Sequence, residues 1–379
     1  MQSRQRFVII PKNLLKGTWL SFLVIFGLWA SATSTSLGQG TPSEITFKKE
    51  KIALSNAKSF YLLDVADKRK LKANLLGTVV MYGKAVPLQL SQPLERELFD
   101  HWSASLRSHT DESLPLEIQL DDVSVSERRV APNKISGEMK VKITFQWTRA
   151  AKTVFLTGYS TASTYTRPET AYDHEAALRR LLDGAIRNFD QWMGLNEGKN
   201  PLLARGVTLV FENVGTGEES DTVFYHPSRK LTWDDFQGDT NRPGSRYAAA
   251  VFSSLSYEGN SKMVGRYLQA TIGLKVFMVK SMSWGRSEAQ NSYTLAHEQT
   301  HFDITRLMAE RFKERLKSMD LTIEDYDSQI QYEFLEIFRA MNQEQEKYDA
   351  ESHHGLNTTV QNDWNRKIQA EIARIYQGS

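Results

Sequence analysis

The sequence predicts an α+β fold in two parts. Residues 44–167 carry short runs of alternating apolar and polar side chains, residues 194–205 gather two Gly, two Asn and Pro201, and apolar residues at helical spacing fill most of the C-terminal half. At 379 residues the chain exceeds one ordinary domain, and roughly 340 remain once an N-terminal targeting segment is set aside, which suits two domains. The expected division is a signal peptide over 1–32, an α+β domain over 44–193, a linker over 194–205 and a second domain over 206–379.

Composition narrows the class. A hydrophobic share of 40% with 47 basic and 45 acidic residues belongs to a folded globular protein. The net charge of +2, with no basic cluster interleaved with aromatics, argues against a nucleic-acid partner. Arg4, Arg6, Lys12 and Lys16 precede an uncharged apolar run over 18–30, and Ala30-Ser31-Ala32 suits signal peptidase. The run is shorter than the ~18 residues of a spanning helix, so cleavage is expected rather than an uncleaved anchor. The mature chain is then periplasmic or secreted, with no stable membrane anchor. The absence of cysteine removes disulfides, a lipid-modified N-terminal cysteine and thiolate ligands, so any metal must be held by His, Asp or Glu.

In chain order, Thr78 to Tyr82, Leu116 to Leu120 and Met139 to Phe145 read as strands, the last with clean alternation. Leu94 to Leu106 has helical spacing, and Ala171 to Met193 forms a longer helix with Ala177, Leu181, Ile186 and Phe189 on one face. After the linker, Val207 to Phe211 and Tyr267 to Lys280 are expected strands, the second ending at a turn near Ser283-Trp284-Gly285. Ser287 with Gln290 fits a capping box, so a helix is expected from Ser287 to about Ser318. Thr322 with Asp325 starts another, with Ile330, Phe334, Phe338 and Met341 on one stripe, reaching about Tyr348. The last helix spaces Val360, Trp364, Ile368, Ile372 and Ile375 close to four apart.

The pattern that carries chemistry is His297-Glu298-Gln299-Thr300-His301. Helical residues four apart sit one above the other, about 6 Å along the axis, so both imidazoles can meet one ion. Glu298 is rotated about 100° from His297, outside the ligand shell yet near a metal-activated water, where a general base belongs. Chance would give this pattern in on the order of 1% of chains of similar composition. The competing explanation is two histidines on a solvated or core helix face. Catalytic zinc usually takes three protein ligands and leaves a position open, so a third donor is needed. Asp303, Glu310, Glu344, Glu346, Glu351, His353 and His354 are candidates. Asp303 lies about 200° round the helix from His301 and Glu310 three turns away, which directs attention to another element; His353-His354-Gly355 is the densest remaining cluster.

Three stretches in order, Leu231-Thr232-Trp233-Asp234-Asp235-Phe236-Gln237-Gly238, then His297 through Ile304, then Tyr348-Asp349 through His354-Gly355 to Gln361 and Trp364, resemble a little-characterised bacterial family of predicted secreted zinc-dependent proteases, formerly a domain of unknown function. The resemblance covers roughly 206–379. It implies a zincin-like catalytic domain with Zn2+ held by His297, His301 and His354, and Glu298 as base. Ser352 stands where that pattern more often has Thr. Asp303 is then a candidate acceptor orienting an imidazole. Tyr348 is a candidate donor to a developing oxyanion, against the plainer reading of a half-buried packing residue. The Trp233 motif is either a loop beside the cleft or a turn pinned by Trp233 and Phe236, with Gly238 supplying an unusual backbone angle.

These readings lead to an expected peptidase, with a peptide or protein substrate and an N-terminal domain that recruits it. The rival is a non-catalytic envelope protein with a structural or vestigial metal site, for which a carboxylate at Glu298 has no use.

Overall fold

A computed structural model of the chain describes residues 42–377 except 107–109, 111–112, 216–217, 243 and 246. The expected signal segment lies outside the described residues. Those residues divide into two compact units, one ending at Leu203 and one beginning at Ala204, and the fold is mixed α+β. No helix among the described residues is long and apolar enough to cross a membrane.

The first unit runs β1 (Ser43–Ile45), β2 (Phe60–Asp67), β3 (Leu75–Met81), β4 (Lys84–Leu90), α1 (Leu94–Leu106), β5 (Leu114–Ala131), β6 (Lys134–Arg149), β7 (Lys152–Arg167) and α2 (His174–Asn196). Its sheet has the order β1-β4-β3-β5-β6-β7. The long strand β5 is the spine: β6 pairs antiparallel along one edge, while β2 and then β3 share the other, both parallel. Leu114, Leu116, Ile118 and Leu120 point inward. A register shift between Leu120 and Asp122 then moves the buried phase to Val123 and Val125, since one extra residue reverses which side of the sheet faces the core.

Both helices bury against this sheet. Leu94, Leu98, Trp102 and Leu106 of α1, and Leu178, Leu182, Ile186 and Phe189 of α2, share one core with the strands. Phe189 lies edge-on to Phe60 at 4.9 Å and stacks on Phe145 at 4.7 Å. The helix starts three residues later than the apolar spacing suggests, because Asp173 caps it by accepting from the Ala176 amide.

One buried polar cluster ties the unit together. The Glu127 carboxylate accepts from Arg167, His174 and Tyr165 and from the Val80 amide. Burial opposes its ionisation, but these donors outweigh that and hold it well below the usual carboxylate range.

The second unit runs β8 (Gly206–Asn213), β9 (Glu218–Glu219), β10 (Thr222–Phe224), β11 (Ala249–Ala250), β12 (Ser253–Val264), β13 (Tyr267–Val279), β14 (Trp284–Gly285), α3 (Ser292–Ser318), α4 (Tyr326–Ser352) and α5 (Thr358–Gln377). β13 is its central strand, with β12 antiparallel along one edge and β8, parallel, and β10, antiparallel, dividing the other. A small ribbon of β11 and β14 stands apart.

Helix α3 is enclosed on several sides, which explains why apolar residues appear nearly all round it. Phe302, Met308, Ala309, Phe312 and Leu316 share a core with β12 and β13. Ile304 and Leu307 join Tyr348 of α4 and Trp364, Ile368 and Ile372 of α5. The expected start at Ser287 is displaced: residues Ser287–Ala289 form a separate single turn, and Asn291 caps α3 by accepting from the Tyr293 and Thr294 amides. The Ser287/Gln290 spacing resembled a cap, but Asn291 is the residue that meets the free amides. Helix α4 extends to Ser352, four residues past the expected end.

Removing the Glu127 carboxylate strands a buried guanidinium. Glu127→Ala is expected to lower the stability of the first unit by about 3–5 kcal/mol, read as a shifted denaturant midpoint; an unchanged midpoint would show that the cluster is not a structural anchor.

Candidate metal centre

His297 and His301 lie one turn apart on α3, and their Nε2 atoms converge on one oxygen of Asp349 from α4, at 3.1 and 3.0 Å. These three residues form a group whose ligand atoms all lie within 4.8 Å of one another, and the group could hold a metal ion. The imidazoles are nearly buried, their side chains 9% and 10% exposed, whereas Asp349 is 31% exposed. The group is therefore walled by protein on the imidazole side and reaches solvent on the carboxylate side. Burial works against ionisation of Asp349, yet the two imidazoles outweigh it and hold the carboxyl well below its ordinary range.

Tyr348 and α4 set the imidazole orientation. The Tyr348 ring stacks on His297 at 4.7 Å and meets His301 edge-on at 5.0 Å. Trp364 backs it at 5.4 Å and is itself anchored by Glu351 through the indole N–H. Tyr348 is fully buried, and burial pushes its phenol far above the usual range. The ring of this candidate oxyanion donor forms the floor beneath both imidazoles.

Glu298 occupies the side of α3 that faces the β11 ribbon. Its Oε2 accepts from the Val251 amide at 2.8 Å. Burial, opposed by His297 and by that amide, pushes its carboxyl up to about 7. Gln299, the next residue, accepts from the Leu231 amide at 2.8 Å. The stretch that carries Trp233 is thus docked onto α3 through Leu231. Trp233 packs so closely on Gly285 that a Cβ there would stand 2.5 Å from the indole ring. Asp235 accepts from both Arg229 nitrogens at 2.7 Å and from the Thr232 amide. The expected unusual angle at Gly238 is replaced by a close approach: a Cβ would meet the Ser281 and Ser283 carbonyl oxygens at 2.8 and 2.9 Å.

The remaining expected site residues lie further out. His353, His354 and Gly355 take three successive left-handed conformations, with φ of 52°, 54° and 84°. They turn the chain from α4 to α5 while the His354 amide bonds back to the Asp349 carbonyl at 2.7 Å. His354 Nδ1 stands 3.6 Å from the other Asp349 oxygen, too long for a direct hydrogen bond, and its ring meets Tyr247 edge-on. Asp349, not His354, completes the triangle with the two helical imidazoles. His353 has no place in the group. Asp303, expected to orient an imidazole, instead accepts from Tyr225, Gln299 and Gln369 and lies 3.7 Å from Lys230; burial raises its pKa.

Asp349 was legible in principle. Ile337, Met341, Tyr348 and Ser352 form the buried stripe of α4, and Asp349 is the carboxylate flanking it. That residue stands beside the candidates Glu346 and Glu351 and one position past the expected helix end at Tyr348. The geometry gives a ranking: Asp349→Ala should weaken binding of a divalent ion at least about 100-fold and His354→Ala by about 10-fold, the scale of a supporting partner. Titration against a competing chelator reads both, and the reverse order would return the third ligand to His354.

Residues 282–355, which hold this whole group, match the model of the family DUF922, described as bacterial proteins of unknown function. No curated protein matches the chain. Among solved structures, an uncharacterised protein is similar at 10% identity, over 40% of this chain and 100% of its own, with a TM-score of 0.22. A protein of Xanthomonas campestris assigned to the family DUF330 is similar at 14% identity, over 41% of this chain and 92% of its own, with a TM-score of 0.24. Likeness at these scores carries no functional information. The family match over 282–355, to bacterial proteins of unknown function, includes His297, His301 and Asp349.

Proposed function

We propose that the protein is a zinc-dependent peptidase that works in the periplasm or outside the cell, with Glu298 as general base. The observation that carries this reading is the convergence of His297 Nε2, His301 Nε2 and Asp349 Oδ1 beside the buried Glu298 carboxylate. The donor set fits zinc. Ligand atoms at 2.0 to 2.1 Å from a tetrahedral ion are about 3.3 Å apart, close to the 3.0 and 3.1 Å between Asp349 and the imidazoles. Two nitrogens and a carboxylate oxygen are the donors zinc takes in a cysteine-free chain. Three protein donors converge among the described residues, which favours a catalytic site over a structural one closed by four.

Zinc held there would supply a Lewis acid that polarises a carbonyl and makes water acidic enough to react near neutral pH. The rest falls to the chain. His297 and His301 bind from a helix that is packed on several sides, so their spacing does not relax when substrate arrives. The Val251 amide holds Glu298 Oε2, fixing the carboxylate beside His297 to take a proton from the attacking water and pass it to the leaving amine. Tyr348 excludes water from beneath the imidazoles. The charged-then-apolar N-terminal sequence supports action outside the cytoplasm. The peptide nature of the substrate is supported by the H-E-x-x-H arrangement and by the family resemblance.

Glu298→Gln keeps the ligands and removes the base. The purified mature variant should retain wild-type zinc content while cleavage of a mixed peptide library falls about 10²- to 10⁴-fold. Equal cleavage by both forms would remove the catalytic assignment, and no cleavage by zinc-loaded wild type would favour a non-catalytic metal protein.

A further inference from the structure

We infer that Gln361 is a positioning residue for His297, its side-chain oxygen taking the hydrogen that His297 Nδ1 carries when Nε2 is turned toward a metal. This rests on the metal-binding reading of the centre. An imidazole that offers Nε2 to a cation must hold its proton on Nδ1, and that N–H usually finds an acceptor that fixes the ring and its tautomer. His297 Nδ1 is buried and has no hydrogen-bond partner among the described residues. Gln361 Oε1 is in the same condition, on a side chain with no exposed surface. With His297 Nε2 on a metal, Nδ1 is a donor lacking an acceptor, and Gln361 Oε1 is an acceptor lacking a donor.

Both atoms lie against Gly355. A Cβ placed on that glycine would lie 3.1 Å from Gln361 Oε1 and 3.5 Å from His297 Nδ1. The chain keeps the space clear with a residue that has no side chain and a left-handed φ of 84°. The orientation of the Gln361 amide is set independently. Its Nε2 donates to the Tyr293 carbonyl at 3.2 Å, which leaves the oxygen as the free end. Tyr293, one turn before His297 on α3, donates its hydroxyl to the Gly355 carbonyl at 2.7 Å. Tyr293, Gly355 and Gln361 thus brace one another around the outer nitrogen of His297. His301 Nδ1 is also buried without a partner.

The test uses the mature chain in three forms: wild type, Gln361→Met, which keeps the length but loses the acceptor, and Gln361→Glu, which keeps an acceptor oxygen. Zinc affinity by chelator competition is expected to fall about 10- to 100-fold in Gln361→Met and clearly less in Gln361→Glu, which keeps the acceptor but gives up the bond to the Tyr293 carbonyl. Equal zinc affinity for wild type and Gln361→Met would overturn the inference alone, as would an equal loss in both variants, the mark of a packing role. Wild type that takes up no zinc would instead remove the metal reading itself. Should Gln361→Met fail to fold, nitrogen-detected NMR of zinc-loaded wild type decides: a slowly exchanging proton on His297 Nδ1 supports the inference, and a metal-bound or rapidly exchanging Nδ1 overturns it.

Discussion

The centre depends on the enclosure of α3. A helix exposed on one side could place two imidazoles a turn apart, but each would rotate among its side-chain conformers. Here the sheet packs Phe302 and Phe312 from one side, while α4 and α5 pack Ile304 and Leu307 from the other. Between those contacts the imidazoles are left facing Asp349 and standing on Tyr348. Rotamer freedom is surrendered at folding rather than at binding, which is how a buried group of side chains becomes pre-organised.

Two further connections reach this helix from the strand side. The Leu231 amide bonds to Gln299 and the Val251 amide to Glu298, so two successive residues of the motif are tied to different segments. The Trp233 turn is held by Gly285 beneath its ring and by the Arg229–Asp235 pair. A stretch about sixty residues upstream in sequence thereby holds a side chain of the helix that carries the histidines.

Much of the fold was legible because its signals are local. Leu94–Leu106 shows its period within one helix and was read to the residue, and the alternation of Met139 to Phe145 persists in β6. The two histidines were legible for the same reason, since four-residue spacing on a helix is a local property. What the sequence hid is what depends on distant partners. The capping pattern at Ser287 competes with Asn291, and only the actual path of the chain decides between them. The third donor was sought where histidines are dense, yet Asp349 reaches the imidazoles because α4 runs on to Ser352 and presents it there. The turn at His353 and His354 has two non-glycine residues at positive φ, a conformation that composition does not announce.

The proposed function requires one divalent ion among His297, His301 and Asp349. Anomalous diffraction at the zinc edge, from crystals of the mature chain grown with equimolar zinc, tests it directly. A single strong peak is expected about 2.0 to 2.2 Å from both Nε2 atoms and from one Asp349 oxygen. A map with no peak between those atoms, or with zinc bound elsewhere while the imidazoles remain on the carboxylate, would contradict it.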